Sequence, residues 1–136
     1  MQITRELAKG QMVCKNFFQA NVTASQTDVR LNDASNQVTN VTVPFNGELC
    51  AIVSDLSAAA TVGTLTVNLF VNGTKNANFV TTITTLAAGM VKIPRGKVAL
   101  RAGDRVGIGI TTGATWNGTT SDLLVSVYIL QELDGI

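Results

Sequence analysis

The segment from Thr64 to Val71 alternates strictly between polar and apolar side chains up to Leu69 and is followed at once by Asn72-Gly73. A period of two places the two kinds of side chain on opposite faces of a β-strand. Asn-Gly is the pair that best tolerates the positive φ angles of a two-residue hairpin turn. This part of the chain therefore predicts a strand that turns back on itself, in a sheet with one face in a core and one in water.

The composition predicts the same class for the whole chain. Its 136 residues include eighteen Thr and sixteen Val, two β-branched types that favour strands over helices. Turn residues separate about eight expected strands, which cover residues 22–31, 38–43, 48–53, 64–71, 79–86, 98–100, 105–112 and 122–131. Eight short strands without a long helix predict an all-β protein, an antiparallel two-sheet sandwich of the jelly-roll type.

One hydrophobic core is all that a chain of this length can bury, so we expect a single jelly-roll domain over residues 19–136. Residues 1–18 do not alternate clearly. Phe17 and Phe18 are adjacent, and in a strand they would point to opposite faces. We interpret residues 1–18 as an extended N-terminal arm that packs against a neighbour, or as an edge segment; a loosely attached terminus is the alternative.

Charged residues are few in this chain, and so are the residue types that carry out catalysis. Only 14% of the residues are charged, the formal net charge is +1, and there is no His. A nearly neutral chain argues against nucleic acid or an anionic membrane as the main partner. Without His, neither Ser-His-Asp nor Cys-His catalysis can be assembled, and the carboxylates are scattered along the chain. We expect no catalytic residues, no metal ligands and no cofactor.

Two cysteines, Cys14 and Cys50, are too far apart in sequence for zinc-type spacing. They are expected to be buried free thiols, or to form a disulfide within the chain or between subunits. The first ten residues carry charges and no apolar stretch of the length that a secretory signal needs. No window of the chain approaches the length of a membrane-spanning helix. We therefore expect a protein that is made in the cytoplasm.

The closing strand is apolar on both faces, except at Ser126. A strand of this kind in a small β protein is expected to be covered twice, once by its own core and once by something else. The face that does not meet the core carries Leu124, Tyr128 and Leu130. These three residues are our candidate subunit interface.

Five cations lie between Lys92 and Arg105, with Asp104 as the only carboxylate among them. They could meet an acidic partner or a phosphate backbone, or they could guard a sheet edge against pairing with other chains. Aromatic side chains are lacking nearby, which argues against single-stranded nucleic acid. Trp116, in a loop rich in Gly and Thr, either folds back onto the core or a subunit contact, or stacks on a sugar.

Three stretches carry a resemblance to a known group of proteins: the run 63–74, the run 100–108 with its Gly103-Asp104 step, and the closing strand 123–130. Together they resemble the small jelly-roll domains of tailed-phage virion proteins, which include capsid decoration (cement) proteins and the head domains of receptor-binding fibres. The Gly-Asp step is more distantly similar to the globular heads of the complement and tumour-necrosis-factor superfamily. The resemblance covers residues 38–131.

The resemblance implies a homotrimer with the closing strand near the subunit contact. It implies a non-enzymatic virion structural protein that decorates and stabilises the outer surface of a phage capsid. The partner would be the major capsid protein, with neither nucleic acid nor membrane involved. The candidate capsid contacts are Phe17, Phe18, Lys92, Arg95, Lys97 and Arg101. The alternative is a receptor- or carbohydrate-binding head of a phage tail protein, with Trp116 and its loop as the contact.

Overall fold

A computed structural model of the protein describes residues 10–33, 35, 38–84, 88–119 and 121–132, with side chains for all of these except 77–84 and 88. Every regular element in the described residues is a β-strand, and none of them belongs to a helix that could cross a membrane. The strands are β1 (Gly10–Gln19), β2 (Val29–Arg30), β3 (Asn32–Asp33), β4 (Val41–Thr42), β5 (Gly47–Leu56), β6 (Thr64–Val71), β7 (Thr74–Thr84), β8 (Ala88–Lys92), β9 (Ala99–Leu100), β10 (Arg105–Thr112) and β11 (Leu123–Glu132).

These strands form two antiparallel sheets that pack face to face. Sheet 1 has the order β3-β1-β11-β5-β8, with β9 also paired to β5. Sheet 2 has the order β2-β10-β6-β7, with β4 also paired to β10. Most of the core between the sheets is made of buried aliphatic side chains from β5, β6, β10 and β11 and of Phe17 of β1; residues outside these strands, among them Val22, Val98 and Trp116, complete it. The predicted fold class, an all-β antiparallel sandwich of the jelly-roll type, is confirmed.

The strand count is eleven rather than about eight, because β1, β3 and β8 lie outside the eight predicted ranges. The predicted strand over residues 22–31 is regular only in its last part, as β2. The hairpin partner of β6 begins at Thr74, not at residue 79, because Asn72 (φ 53°) and Gly73 (φ 82°) alone form the turn. Positive φ at both turn residues is what an Asn-Gly hairpin turn provides.

The turn after β8 is displaced by one residue from the predicted position. The sequence Ile93-Pro94-Arg95-Gly96, with Pro second and Gly fourth, predicts a type I turn over these four residues. The N–H of Lys97 instead donates to the carbonyl of Pro94, and Gly96, with a φ of 79°, is the third residue. A positive φ at the third position is characteristic of a type II turn, which glycine accepts without strain.

A β-bulge in β5 explains why residues 49–53 are apolar at both odd and even positions. Tyr128 of β11 pairs with Ala51, but the next residue, Ile129, pairs with Leu49, so Cys50 is the extra residue. As a result Leu49 and Ile52 are both buried in the core, although they are three positions apart. The apolar residues at odd and even positions of this run therefore reflect in part a bulge that shifts the alternation of the strand, not only coverage of both faces.

Two glycines in β10 let an aromatic ring lie close against the face of sheet 2 that points away from the core. The ring of Phe70 lies beside Gly109, and the guanidinium carbon of Arg30 lies 4.3 Å from the centroid of that ring. The same guanidinium lies beside Gly107 and donates to the side-chain oxygen of Asn40. Burial lowers the pKa of Arg30. A glycine in a strand has no side chain, so it permits this close approach by other groups.

The two ends of the sandwich differ in how they are built. At one end, called the basic end below, the turns 94–97 and 101–104 meet the start of β5 and of β10. At the other, called the loop end, the segments 20–27, 57–63 and 113–119 lie together. The N–H of Val22 donates to the carbonyl of Ser121 there, and the side-chain oxygen of Asn117 accepts from the N–H groups of Thr61 and Val62. Strands of sheet 1 run between these two ends.

Candidate interaction surfaces

The register of sheet 1 places four rows of side chains on the face that points away from the core, called the outer face below. β11 contributes its even-numbered residues to this face, and the strand pairing fixes their neighbours on β1, β5 and β8. The rows across the sheet are Phe18, Leu124, Asp55 and Ala88; Asn16, Ser126, Val53 and Met90; Cys14, Tyr128, Ala51 and Lys92; and Met12, Leu130 and Glu48. This face extends across the sheet from β1 to β8.

Apolar side chains are concentrated on the outer face. Met12 (53% exposed), Phe18 (37%), Met90 (64%) and Leu124 (38%) all lie on it. They are four of the seven large apolar side chains that are exposed in the described part of the chain, and the other three are scattered valines. A contiguous apolar patch is the usual mark of a surface that meets another protein.

All three candidate interface residues lie on this face, in three different rows. Leu124 is exposed, whereas Tyr128 and Leu130 are half-buried. Cys14 lies directly across from Tyr128, and the negative charge of its thiolate, with a hydrogen bond between the two groups, raises the pKa of Tyr128.

Met12 and Met90 extend the same face, and the sequence interpretation missed both. Met12 lies across from Leu130, and Met90 lies across β5 from the row of Ser126. In β1, the alternate residues Met12, Cys14, Asn16 and Phe18 lie on this one face. The polar residues Gln11, Lys15 and Gln19 on the other parity obscured the core-facing pattern.

The candidate capsid contacts do not form one surface. Phe17 is fully buried in the core, so this part of the prediction is wrong: of two adjacent aromatics in a strand, one must face inward. Phe18 lies across from Leu124, and Lys92 shares the row of Tyr128. Phe18 and Lys92 therefore belong to the same outer face as the candidate subunit interface.

The segment that was expected to be an arm or edge segment contributes a strand to sheet 1. Residues 10–18 lie in β1, which pairs with β11 along its whole length and with β3 only at Phe17 and Phe18. Gly10 to Asn16 therefore has one neighbour strand among the described residues, and residues 1–9 lie outside them. The division of the chain at residue 19 stays a prediction.

The other candidate capsid contacts, Arg95, Lys97 and Arg101, lie at the basic end together with Arg105, and all four are exposed. Arg95 forms an ion pair with the carboxylate of Glu48, whose other oxygen accepts the N–H of Gly96 at 2.9 Å. Glu48 is buried under this turn. The carboxylate thus fixes the turn 94–97 onto β5.

Asp104 fixes the second turn in the same way. Its carboxylate accepts the N–H of Arg101 at 2.8 Å and the side-chain amide of Asn72 at 3.0 Å. These hydrogen bonds lower the pKa of Asp104, because they favour its charged form. Asn72 in turn accepts the N–H of Arg105, so the β6–β7 hairpin is attached to the basic end.

Trp116 at the loop end is a core residue. It is 3% exposed, and its indole N–H donates to the carbonyl of Val22 at 3.1 Å. The ring offers no free face on which a sugar could stack. The prediction that Trp116 folds back onto the core is confirmed, and the alternative that it forms a glycan contact is wrong.

Cys14 and Cys50 are both free thiols. Cys14 is exposed and Cys50 half-buried, so the expectation that both are buried is wrong, most clearly for Cys14 on the outer face. Nowhere in the described ranges do three or more Cys, Asp or Glu side chains come together in a way that could hold a metal ion.

The chain matches no family model and no curated protein sequence. Among solved structures, it is similar to a chain of the acidic stable capsid structure of Helicobacter pylori bacteriophage KHP30, with a TM-score of 0.52 and 10% identity over 89% of this chain and 92% of that chain. The globular domain of zebrafish complement 1qA protein gives a TM-score of 0.45 at 15% identity, over 90% of this chain and 98% of that chain. The chain thus shares its fold with a chain of a phage capsid structure, as its resemblance to phage jelly-roll proteins implied.

Proposed function

We propose that this chain is a non-enzymatic structural protein of a phage virion. It assembles as a homotrimer and decorates the outer surface of the capsid, which it stabilises by bridging capsid subunits. The observation that carries the proposal is the apolar outer face of sheet 1. The fold shared with a chain of a phage capsid structure supports the virion setting.

The outer face is suited to contact between copies of the chain. Every row of this face carries apolar side chains, and its exposed charges in the described residues are few: Asp55 in one row and Lys92 in another. Burying methionine, leucine and phenylalanine side chains gains about 25 cal/mol for each Å² of apolar surface removed from water. In a trimer each copy removes part of this face from water against its neighbours.

Attachment to a capsid would then work through avidity. One trimer presents three copies of the same contact on a rigid hub, so that binding of the first copy holds the other two near their sites. Three modest contacts therefore act as one strong one. A compact sandwich held by two sheets and by side-chain hydrogen bonds at both ends is stiff enough to serve as such a hub.

The trimer is tested by the mass of the native particle, measured by light scattering after size-exclusion chromatography. We expect three chains for the wild type and one chain for Leu124→Asp, because a carboxylate on the outer face must be desolvated in the assembly. Leu124 is exposed in the single chain, so the variant is expected to stay folded, as circular dichroism would verify.

The matched control is Val62→Asp, which introduces the same charge at an exposed valine of the loop end. It is expected to remain a trimer. A wild-type protein that stays a single chain at high concentration would contradict the proposed trimer. A Leu124→Asp variant whose native mass equals that of the wild type would contradict the role of the outer face in forming it.

The location on the virion is tested separately. Antibody labelling of virions of the phage that encodes this chain, viewed by electron microscopy, is expected to mark the head. Label confined to the tail would contradict decoration and favour a receptor-binding head, and the absence of the chain from purified virions would exclude both.

A further inference from the structure

Charge is segregated along the strand direction of the sandwich. Arg95, Lys97, Arg101 and Arg105 are all exposed at the basic end. The loop-end segments 20–27, 57–63 and 113–119 contain no Lys or Arg. Asp55 and Asp122 lie toward that end, where β5 finishes and β11 begins. The molecule therefore has one cationic end and one end that is neutral to acidic.

The cations at the basic end are held on short, rigid turns. The turn 94–97 is closed by the hydrogen bond from Lys97 to Pro94, and the turn 101–104 by the bond from Asp104 to Arg101 at 2.9 Å. Between these turns, Val98 and Leu100 are buried in the core. A cationic surface on fixed backbone loses little conformational freedom when it binds.

The carboxylates beside these cations are already occupied. Asp104 accepts hydrogen bonds from the backbone of Arg101 and from Asn72, and Glu48 accepts from Gly96 and pairs with Arg95. In the described part of the chain, Lys97, Arg101 and Arg105 take part in no salt bridge. The three exposed cations thus remain accessible to a partner, while Arg101 also interacts electrostatically with Asp104.

The basic end and the outer face are different surfaces, at roughly right angles to each other. The strands of sheet 1 run between the two ends, so a ring of copies that pack through this face around an axis along the strands presents all of its basic ends on one side. Such a ring has a cationic base and a neutral to acidic top. Its polarity follows from the position of the charges alone.

We propose that the basic end docks the assembly end-on onto an acidic protein surface. The inference rests on the proposed function for the identity of that surface, which is the outside of the capsid. Carboxylates of Asp104 and Glu132 are interspersed with the cations. A mixed surface of this kind fits separate carboxylates on a protein, whose planar groups Arg binds well, rather than a continuous track of phosphates.

The test is a co-sedimentation titration with DNA-free capsids assembled from the major capsid protein of the phage that encodes this chain. The variant is Lys97→Gln with Arg101→Gln and Arg105→Gln. Three weak surface ion pairs per copy are lost, so we expect binding to weaken roughly tenfold or more. The wild-type affinity is expected to fall as salt is added, because exposed charges are screened.

The matched control carries Ala58→Glu, Ala59→Glu and Ala114→Glu, all at exposed alanines of the loop end. It changes the net charge by the same three units and is expected to bind capsids as the wild type does. Both variants are expected to keep the native mass of the wild type, since neither touches the outer face of sheet 1.

The outcomes separate the two proposals. Capsid binding by the wild type that the triple Gln variant retains within twofold would overturn end-on docking and leave decoration intact. Tighter binding of the wild type to a 20-base-pair DNA duplex than to DNA-free capsids would overturn the acidic protein surface in favour of phosphate. A wild type that binds no capsid overturns the decoration proposal and this inference with it.

Discussion

Gly109 lies directly beneath the ring of Phe70, and a Cβ atom added at Gly109 would come within 2.5 Å of the ring carbon Cε2. The ring cannot easily retreat, because Arg30 lies over it and Phe70 is itself buried. The glycine in β10 is therefore required by packing on sheet 2 and not by its backbone angles.

Gly109→Ala is expected to lower the free energy of unfolding by about 1–3 kcal/mol, the usual cost of forcing an extra methyl group into a filled space. Chemical denaturation measures this value. Gly113→Ala is the control, because its Cβ would meet only the Thr64 hydroxyl at 3.7 Å, an ordinary contact. Equal effects of the two substitutions would contradict the packing explanation.

Ser54 is a buried residue whose polar group has no partner. Its side chain is 1% exposed, and its hydroxyl oxygen has no hydrogen-bond partner. Ser54→Ala removes the unpaired group and is expected to leave the free energy of unfolding unchanged or to raise it by up to about 1 kcal/mol.

Ser126→Ala makes a useful comparison for Ser54→Ala, because the hydroxyl of Ser126 donates to the side-chain oxygen of Asn16 at 2.8 Å. Losing that bond is expected to lower the free energy of unfolding by about 1 kcal/mol. If Ser54→Ala were the more damaging substitution in the same denaturation experiment, Ser54 would have to have a partner.

Trp116 is the sole tryptophan of the chain, so its fluorescence reports on one site. Because the ring is buried, the emission of the folded protein is expected to be blue-shifted and poorly quenched by iodide, and unfolding is expected to reverse both properties. Trp116→Phe leaves the Val22 carbonyl without its donor and is expected to cost about 1–3 kcal/mol of stability. Strong quenching in the folded state would place the ring in solvent.

Asp104 is expected to make the stability of the folded protein depend on pH in the acidic range. Its pKa is lowered on folding, so its contribution to stability is complete above the ordinary aspartate pKa of about 4 and is lost as the pH falls through the lowered value. An asparagine at this position can accept only one of the two hydrogen bonds. The difference in thermal midpoint between the wild type and Asp104→Asn should therefore be large at pH 7 and shrink below pH 4, whereas parallel curves would contradict the assignment.

Local patterns predicted what local geometry decides. The Asn72-Gly73 turn follows from the φ angles that these two residues tolerate, and the two-faced pattern of β11 follows from counting alternate residues. The bulge at Cys50 could not be predicted in this way. The bulge is defined by the pairing of β5 with β11 on both sides of it. The register between two strands that are distant in sequence cannot be read from the sequence of either strand alone.

The candidate surfaces show the same limit. Adjacent residues such as Phe17 and Phe18 must face opposite ways, but the choice of which one is buried depends on the pairing of β1 with β11. Lys92 and Arg101 belong to one cationic run in the sequence. The structure assigns Lys92 to the outer face and Arg101 to the basic end, because the turn 94–97 lies between them.

The pairing of Gly10 with Glu132 brings the first and last described strands out of the sandwich side by side, next to the turns that carry Arg95 and Arg101. Because Gly10 and Glu132 both lie at the basic end, a group inserted directly beside either residue would lie close to the cations and obstruct a partner there. A reporter or an epitope that must remain accessible is better inserted between Ala58 and Ala59. This exposed loop lies at the loop end, and the ten residues of β5 separate it from the basic end.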